Sequence, residues 1–353
     1  MSKVELQRCD LVNQAGWREA LADLSPYDDI YFSPDYLAAY EARADGKVQC
    51  VIVRGGDSVM LLPYLVYPIP GYPGLFDIQG AYGYGGPLIK NPDPEFLSAA
   101  WEIIRHCWRE QSVVAAFIRT HPMLGNEALF DPAWEVVFDR LTMSVDLGGG
   151  LEAAFAGAHA RNHRRDAAQA LRGGMVTAFL PCTPDSLDQF ARMYWDTMTR
   201  LGAGPIYFFS RIYFKTLAER FAHDISIAEV RDSKDGEVLS AALILWGPRW
   251  AHYHLAARSI TEGNRNTSHL LLHSVAEEAV RRGLVALHLG GGRTPVPDDS
   301  LFAFKKRIGN IEQRFHTARL VVDPARYGAL LDEWRAQHPN SEPVWFLSYR
   351  QPF

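Results

Sequence analysis

A run of three glycines leads into a loop and a short basic segment, where residues 288–310 read HLGGGRTPVPDDSLFAFKKRIGN. Its basic side chains are Arg293, Lys305, Lys306 and Arg307. Glycines at the end of a strand let the backbone approach a ligand closely. On a helix, Phe304 and Lys305 point about 100° apart, so the ring can pack inward while the lysine faces a cleft. Such a lysine could stabilise an oxyanion that develops on a carbonyl. The alternative is a solvated basic turn with a phenylalanine in the core.

A second basic segment, HARNHRRDAAQALRGG, has the pattern of a helix that ends at two glycines. Arg161, Arg164 and Arg165 crowd this helix, and Asp166 is the one acidic residue that interrupts the run. Surface helices usually interleave the two signs of charge. The segment is therefore either an anion-binding face or an ordinary solvated one.

The stretch RSITEGNRNTSHLL combines the end of a strand at Arg258, a polar turn and the start of a helix near Thr267. Free backbone N–H groups at a helix start can hold a phosphate or pyrophosphate. Asn264, Asn266 and Ser268 would lie beside such a group. The alternative is that Asn266 or Thr267 simply caps the helix.

Other familiar chemistries are excluded by spacing. LGGGRTP lacks the Gly-Lys-Ser/Thr ending of a P-loop, and YGYGG lacks the spacing of a dinucleotide fingerprint. His269 and His273 share one helix face, but the HLLLH segment lacks the glutamate of a zinc-protease helix. There is no Gly-x-Ser-x-Gly nucleophile elbow. We expect neither a metal site nor covalent catalysis.

The elements that position these residues are predicted by an internal repeat. DIYFSPDYLAAYEA at 29–42 resembles PIYFFSRIYFKTLAER at 205–220. Ser33 aligns with Ser210, and Tyr36 with Tyr213, at the same offset of 210 − 33 = 177 positions. Each copy predicts an amphipathic helix followed by a β-hairpin. The chain therefore contains two copies of one α/β unit.

The rest of the second copy alternates strands and helices. We predict strands at AHYHLAARS and LVALHLGGG, helices at NTSHLLLHSVAEEAVRRG and DSLFAFKKRI, a strand at RFHTARLVV, a helix near 324–338 and a final strand at VWFLSYR. Antiparallel hairpins of this kind are absent from doubly wound nucleotide-binding folds. The fold class is α/β, or mixed α+β, with mostly antiparallel sheets.

Composition narrows the class of protein. A chain of 353 residues with an apolar fraction of 48% predicts two domains with well-buried cores. The formal net charge of −5 argues against a general nucleic-acid binder. The four cysteines form no Cys-x-x-Cys pair, which suits a reducing compartment. The N-terminal residues lack a signal-peptide core, and prolines interrupt the longest apolar run, so we expect a cytoplasmic protein with no membrane span.

Taken in order, several motifs resemble those of one family. YGYGGPL, NHRRDAAQALRGG, YFFSRIYFKTL and LHLGGG followed by DSLFAFKKRIG look like the Fem-type tandem-GNAT proteins. These include peptidoglycan-bridge aminoacyltransferases and FemAB-like acyltransferases. The resemblance implies two tandem GNAT-like domains: residues 1–147, completed by 325–353, and residues 148–324, which carry the donor site.

The resemblance also implies an N-acyltransferase. The family's Phe-Lys motif falls on Phe304 and Lys305, where the lysine acts at the reacting carbonyl and is the catalytic residue. Its Tyr-Phe-x-x-x-Tyr segment falls on Phe208 to Tyr213. The implied acceptor-binding residues are Tyr36, Tyr84, Tyr207, Arg211 and Tyr213. The implied donor-binding residues are Arg161, Arg164, Arg165, Arg258, Asn264, Asn266, Thr267, Ser268, Arg293, Phe304, Lys306 and Arg307.

Two donors are compatible with the resemblance. Acetyl-CoA enzymes of this kind carry a glycine-rich turn before their central helix, whereas TEGNRNTSH has one glycine and two asparagines. Aminoacyl-tRNA is therefore the favoured co-substrate, and its acceptor end would need a local basic track. Acyl-CoA is the alternative, and a catalytically silent binding protein is a third. We expect no permanently bound cofactor, an amine-bearing small-molecule acceptor and a monomer.

Overall fold

A computed structural model describes residues 4–43, 46–221, 224–263, 265–296 and 298–351. The chain divides into two compact units, which we call the first unit (residues 1–139 with 315–353) and the second unit (residues 140–314). The boundaries predicted from the sequence, after residues 147 and 324, fall eight and ten residues later than these divisions.

The helices and strands follow one another in a repeated order. Up to residue 146 they are β1 (Glu5–Cys9), α1 (Ala15–Asp23), α2 (Pro34–Glu41), β2 (Lys47–Gly55), β3 (Ser58–Pro68), β4 (Phe76–Gln79), β5 (Leu88–Lys90), α3 (Pro94–Glu110), β6 (Val113–Arg119) and β7 (Glu135–Asp146). After it they are α4 (Gly150–Ala154), α5 (Arg161–Arg172), β8 (Met175–Pro181), α6 (Pro184–Arg200), α7 (Arg211–Arg220), β9 (Ile225–Asp232), β10 (Val238–Trp246), β11 (Trp250–Arg258), α8 (Thr267–Arg281), β12 (Ala286–Gly291), α9 (Ser300–Lys306), β13 (Ile311–Val321) and α10 (Pro324–Gln337).

The strands of the two units pair in the same pattern. In the first unit the order is β1-β2-β3-β4-β6-β13, and β4 with β6 is the parallel pair. In the second unit the order is β8-β9-β10-β11-β12-β7, and β11 with β12 is the parallel pair. The pairing of β11 with β12 covers three positions and ends at His252 opposite His288. Both units therefore repeat one framework, as the sequence predicted.

The entry helix of each unit begins in the same way. Ser33 Oγ accepts the Tyr36 N–H at 3.1 Å at the start of α2, and Ser210 Oγ accepts the Tyr213 N–H at 3.4 Å at the start of α7. Serine at this position satisfies one of the backbone donors that a helix start leaves unpaired. Both tyrosines are buried. The serine-to-tyrosine spacing found at the repeat offset is thus a capping signal with a buried aromatic behind it.

Each unit has its own apolar core. In the second unit, α8 contributes Leu270, Leu271 and Val275 to a cluster that also contains Phe302 from α9. In the first unit, the aromatic side chain of Trp101 on α3 lies in a cluster with strand residues such as Met60. These cores fix the helices against the sheets, so residues on α8 and α9 have a rigid support.

The predicted final strand at VWFLSYR is wrong. Residues 344–347 have no regular structure, and Ser348–Arg350 form a 3-10 turn. The Gln351 side chain accepts the N–H groups of Val344 and Trp345, and the Tyr327 hydroxyl donates to the Phe346 carbonyl at 2.6 Å. Side chains thus satisfy backbone groups that a strand would have paired in a ladder.

The four cysteines are buried free thiols. None of the helices in the described ranges is both long enough and apolar enough to cross a membrane.

Candidate functional site

Each of the three glycines at the end of β12 is favoured over other residues by a different local geometry. Gly290 has a positive φ of 75°. A Cβ on Gly291 would lie 2.8 Å from the Leu141 carbonyl oxygen, and one on Gly292 would lie 2.6 Å from Asp299 Oδ1. Side chains at these positions would clash with backbone or with a held carboxylate. The glycines therefore let residues 290–292, which we call the glycine loop, run close to β7 and to the start of α9.

Asp299 closes this loop onto α9. Its Oδ1 accepts the N–H groups of Leu301 and Phe302 at 2.9 Å each, which caps the helix. Its Oδ2 accepts from the Arg293 N–H at 3.1 Å and from the N–H and hydroxyl of Thr294 at 3.2 Å each. Burial alone would raise the pKa of Asp299, but the backbone N–H groups outweigh it and lower the pKa. The carboxylate stays ionised and is poorly suited to act as a base.

Lys305 is buried at the end of α9, with a relative exposure of 8%. Its Nζ donates to the Gly291 carbonyl at 2.7 Å. Burial lowers the pKa of Lys305 to about 7, the Asp299 charge opposes that change, and the Arg140 charge adds to it. The sequence predicted a lysine facing a cleft, with Phe304 packed inward. Instead Lys305 is the more buried of the two, and its ammonium is held at the glycine loop.

Arg140 is a functional candidate that the sequence analysis missed. It is half-buried, and its Nη1 donates to the Gly292 carbonyl at 2.9 Å. Two cations therefore bind consecutive carbonyl groups of the glycine loop. Nothing in the local pattern around Arg140, which is within a strand, indicates this role, because its partner lies 152 positions away in the sequence.

The other basic side chains of the predicted segment are exposed. Arg293 donates to Ser300 Oγ at 3.1 Å, Lys306 lies 3.4 Å from Glu312, and Arg307 donates to the Ala303 carbonyl at 3.2 Å. Phe304 is half-buried, and its ring meets His269 of α8 edge-on at 5.0 Å. The phenylalanine thus joins α9 to α8.

The basic helix α5 lies against α8 close to this segment. Its residues Arg161, Arg164 and Arg165 are exposed, and Arg165 pairs with Asp166. Burial lowers the pKa of His269 on α8, Asp166 raises it, and the charges of Arg307 and Arg165 lower it further. Both basic segments therefore act electrostatically on His269. His269 is in ring contact with His163 of α5 and with Phe304 of α9, so the structure brings these two segments, about 140 positions apart in the sequence, to the same residue of α8.

The helix start predicted to hold a phosphate already contains a carboxylate. Glu262, which is 3% exposed, accepts the Thr267 N–H at 3.2 Å and its hydroxyl at 2.9 Å. Arg258 forms a salt bridge with the other Glu262 oxygen. The Thr267 N–H is therefore not free, and a phosphate would meet a negative charge there.

The remaining residues of this turn have other roles. Asn266 has a left-handed backbone with φ of 59°, makes no side-chain cap, and donates to Gln169 at 3.3 Å. The sequence allowed Asn266 or Thr267 to cap the helix, but the side chain that accepts the Thr267 N–H is that of Glu262. Ser268 is half-buried within the first turn of α8. Asn264 lies outside the described residues.

The predicted acceptor residues of the second unit lie on and before α7. The buried Tyr213 hydroxyl lies 2.9 Å from His254 Nε2 on β11, and burial lowers the pKa of His254 to about 3. Arg211 is exposed, 3.7 Å from Asp188 and above the Trp195 ring. Tyr207 is half-buried, and its carbonyl accepts the Tyr194 hydroxyl at 2.9 Å.

The predicted acceptor residues of the first unit belong to an aromatic group. The buried Tyr36 hydroxyl donates to the Tyr82 carbonyl at 2.6 Å. The half-buried Tyr84 ring is edge-on to Tyr31 at 5.5 Å and to Phe315 at 5.4 Å. Tyr84 therefore belongs to the YGYGG loop, and Tyr36 belongs to α2, which is hydrogen-bonded to that loop.

Comparisons with known proteins agree with this framework. Residues 157–306 match the model of the acetyltransferase (GNAT) domain family. FemX has a similar structure, with a TM-score of 0.69 and 16% identity over 92% of this chain and 99% of that one. The chain has a Fem-type tandem GNAT fold. The resemblance drawn from the sequence is confirmed at the level of the fold.

Two further structures share this fold. A tandem GNAT protein from the clavulanic acid biosynthesis pathway has a TM-score of 0.52 and 10% identity, over 91% of this chain and 99% of that one. The C-terminal domain of a putative lysylphosphatidylglycerol synthetase from Agrobacterium fabrum has a TM-score of 0.55 and 16% identity, over 89% and 94%. No curated protein matches the sequence.

Proposed function

We propose that the chain is an N-acyltransferase that moves an aminoacyl group from aminoacyl-tRNA to an amine-bearing small molecule or to a cell-envelope or natural-product precursor. The observation that carries this proposal is Lys305, a buried lysine held at the glycine loop beside exposed cations. Burying an ammonium group is costly unless something compensates it. An anion that develops next to Lys305 during a reaction would do so.

The proposed reaction is aminolysis of an ester. The neutral acceptor amine attacks the carbonyl carbon, a C–N bond forms, and the carbonyl oxygen becomes an oxyanion. Lys305 Nζ has three N–H donors, of which one is used by Gly291, so others can stabilise that oxyanion. The C–O bond to the tRNA ribose then breaks, and the proton lost by the amine ends on the ribose hydroxyl. The amide product needs no covalent enzyme intermediate.

The exposed cations of α5 and α9 support a nucleic-acid donor. The charges of Arg165 and Arg307 both lower the pKa of His269, and the ring of His269 meets Phe304 of the Phe-Lys segment edge-on. A single-stranded acceptor end carries one phosphate per nucleotide and binds such cations in a salt-dependent way. Lys306, Arg293, Arg161 and Arg164 would extend this contact. In this proposal the second unit binds the acceptor through Tyr207, Arg211 and Tyr213.

Acetyl-CoA is the second candidate donor, since the matching family model describes an acetyltransferase domain. Against it is Glu262, whose carboxylate takes the Thr267 N–H at the helix start where a pyrophosphate would bind. A bound pyrophosphate would have to displace this carboxylate and its salt bridge with Arg258. The co-substrate is therefore proposed to be aminoacyl-tRNA, with no cofactor held permanently.

The test is a pair of donor titrations. The purified protein is titrated with a mixed pool of aminoacyl-tRNA and, separately, with acetyl-CoA, at several salt concentrations. We expect retention of charged tRNA that weakens steeply with salt, and no saturable binding of acetyl-CoA. Uncharged tRNA is the control for the aminoacyl end. Saturable acetyl-CoA binding without retention of tRNA would replace the first donor by the second.

A further inference from the structure

We propose that Asp299 is a positioning residue: it joins the glycine loop to the start of α9 and thereby holds Lys305 Nζ at the Gly291 carbonyl. Its importance for turnover rests on the proposed function of Lys305. Its structural part stands on contacts within the second unit alone. Asp299 was not among the residues that the sequence analysis assigned to the site.

The two carboxylate oxygens of Asp299 have separate partners. Oδ1 holds the first turn of α9 through Leu301 and Phe302, whereas Oδ2 holds residues 293 and 294 at the end of the glycine loop. Only an ionised carboxylate accepts hydrogen bonds on both sides, because an amide presents N–H donors on one of them. Removing either set of contacts would let the loop and the helix move apart.

Lys305 is sensitive to that movement because it spans the same gap. Its backbone belongs to α9, while its Nζ donates to the Gly291 carbonyl of the loop at 2.7 Å. Gly292 brings the loop close enough, since a Cβ there would lie 2.6 Å from Asp299 Oδ1. The carboxylate, the missing side chain and the lysine therefore form one local arrangement.

The charge of Asp299 has a second effect on the same group. The charged side chains that act on Lys305 are Asp299, which favours its protonated form, and Arg140, which disfavours it. Loss of the carboxylate would leave burial and Arg140 unopposed. Less of the lysine would then be protonated at neutral pH, and fewer molecules could stabilise an oxyanion.

The variants Asp299→Asn and Asp298→Asn form a matched pair. Both remove one negative charge from the same loop, but Asp298 is exposed. The protein is labelled with ¹³C,¹⁵N-lysine, and the Lys305 side-chain resonance, assigned from Lys305→Arg, is followed against pH. We expect its midpoint, about 7 in the parent protein, to fall in Asp299→Asn and to stay in Asp298→Asn. An unchanged midpoint in Asp299→Asn would overturn the inference.

Turnover supplies the second readout. We expect kcat to fall about tenfold to a hundredfold in Asp299→Asn with KM for the donor little changed, and the alkaline limb of the pH profile to move to lower pH. Asp299→Ser keeps a good helix cap and tests the loop contact if the first variant folds poorly. If the midpoint shifts but Lys305→Met turns over normally, the positioning role stands and the proposed function of Lys305 fails.

Discussion

The two units share a sheet order and an entry helix. They differ in the connection that follows the second strand of their parallel pair, which is β6 in the first unit and β12 in the second. In the second unit, β12 leads through the glycine loop to Asp299 and Lys305. In the first unit, β6 leads into residues 120–134, which contain neither lysine nor arginine. The difference places lysine and arginine side chains in one copy of the framework, whereas the charged side chains in the corresponding segment of the other copy are acidic.

The first unit uses the same structural device in a neutral form. Asn126 Oδ1 accepts the His121 N–H at 2.7 Å, and its Nδ2 donates to the carbonyls of Gly85 and Pro87. A Cβ on Gly86 would lie 2.8 Å from Asn126 Nδ2, much as one on Gly292 would meet Asp299. A polar side chain holds a glycine-rich segment in each unit. Among the residues that the structure describes, the buried lysine belongs to the second copy, which is why we assign the chemistry there.

The helices that connect the two parallel strands of each unit, α3 and α8, also differ in their caps. In the first unit Asp93 caps α3 directly, accepting the N–H groups of Glu95 and Phe96 at 3.0 Å each. In the second unit Glu262 reaches α8 from the preceding turn and pairs with Arg258. Both helix starts therefore contain a carboxylate, although an anion-binding start would keep its N–H groups available.

The sharpest test of the difference between the units is Lys305→Met. We expect transfer to fall about a hundredfold or more, because one oxyanion donor is lost. Lys90→Met, an exposed lysine of the first unit, is the control and should keep the parent rate. A steady-state assay of amide formation measures both. Normal turnover of Lys305→Met would falsify the catalytic assignment.

Thermal unfolding against pH separates lost chemistry from lost structure in the same variant. The folded-state pKa of Lys305, about 7, lies below its ordinary value of about 10.4. Between these values the unfolded chain binds more protons, so the parent protein becomes more stable as pH rises. Lys305→Met should remove that dependence and have a higher Tm at pH 7. A lower Tm would mean that the methionine fails to pack.

The basic segments of the second unit provide the next largest effect. Arg164→Ala and Arg307→Ala should each weaken retention of charged tRNA and reduce the slope of log affinity against log salt by about 0.7. Arg8→Ala changes an exposed arginine of the first unit and should leave the slope unchanged. A filter-binding titration at several salt concentrations measures all three. Equal slopes in every variant would remove α5 and α9 from the donor site.

Glu262→Gln tests whether the carboxylate at α8 excludes a pyrophosphate. The glutamine oxygen can still accept the Thr267 N–H, but the negative charge disappears and Arg258 loses its ionic partner. We expect saturable binding of acetyl-CoA to Glu262→Gln, whereas the parent protein should show none. Asp93→Asn makes the matched change at α3 and should not alter acetyl-CoA binding. Calorimetry gives both affinities, and no gain in Glu262→Gln would mean that another feature controls donor choice.

The sequence predicted the framework because its signals are local. Helix and strand periodicity sets the spacing of these signals: the capping serines, the hairpins and the buried apolar residues along α8. The final strand was predicted wrongly because the side chains of Gln351 and Tyr327 form the hydrogen bonds to its backbone that a neighbouring strand would have formed. Arg140 was not predicted because its partner lies 152 positions away. Glu262 and Asp299 have partners within six positions, but their contacts depend on how the turn and the loop fold, which no periodic pattern encodes. Lys305 was found, but its burial required the folded loop.

The smallest expected effect concerns the entry helices, where the two units are most alike. Ser33→Ala and Ser210→Ala each remove a helix cap, which costs about 1 kcal/mol of unfolding free energy. Ser33 also donates its hydroxyl proton to the Ile30 carbonyl at 2.8 Å, and it accepts the Tyr36 N–H at a shorter distance than Ser210 accepts that of Tyr213. Ser33→Ala should therefore be the more destabilising change in urea denaturation. A larger loss of unfolding free energy in Ser210→Ala than in Ser33→Ala would contradict this expected order.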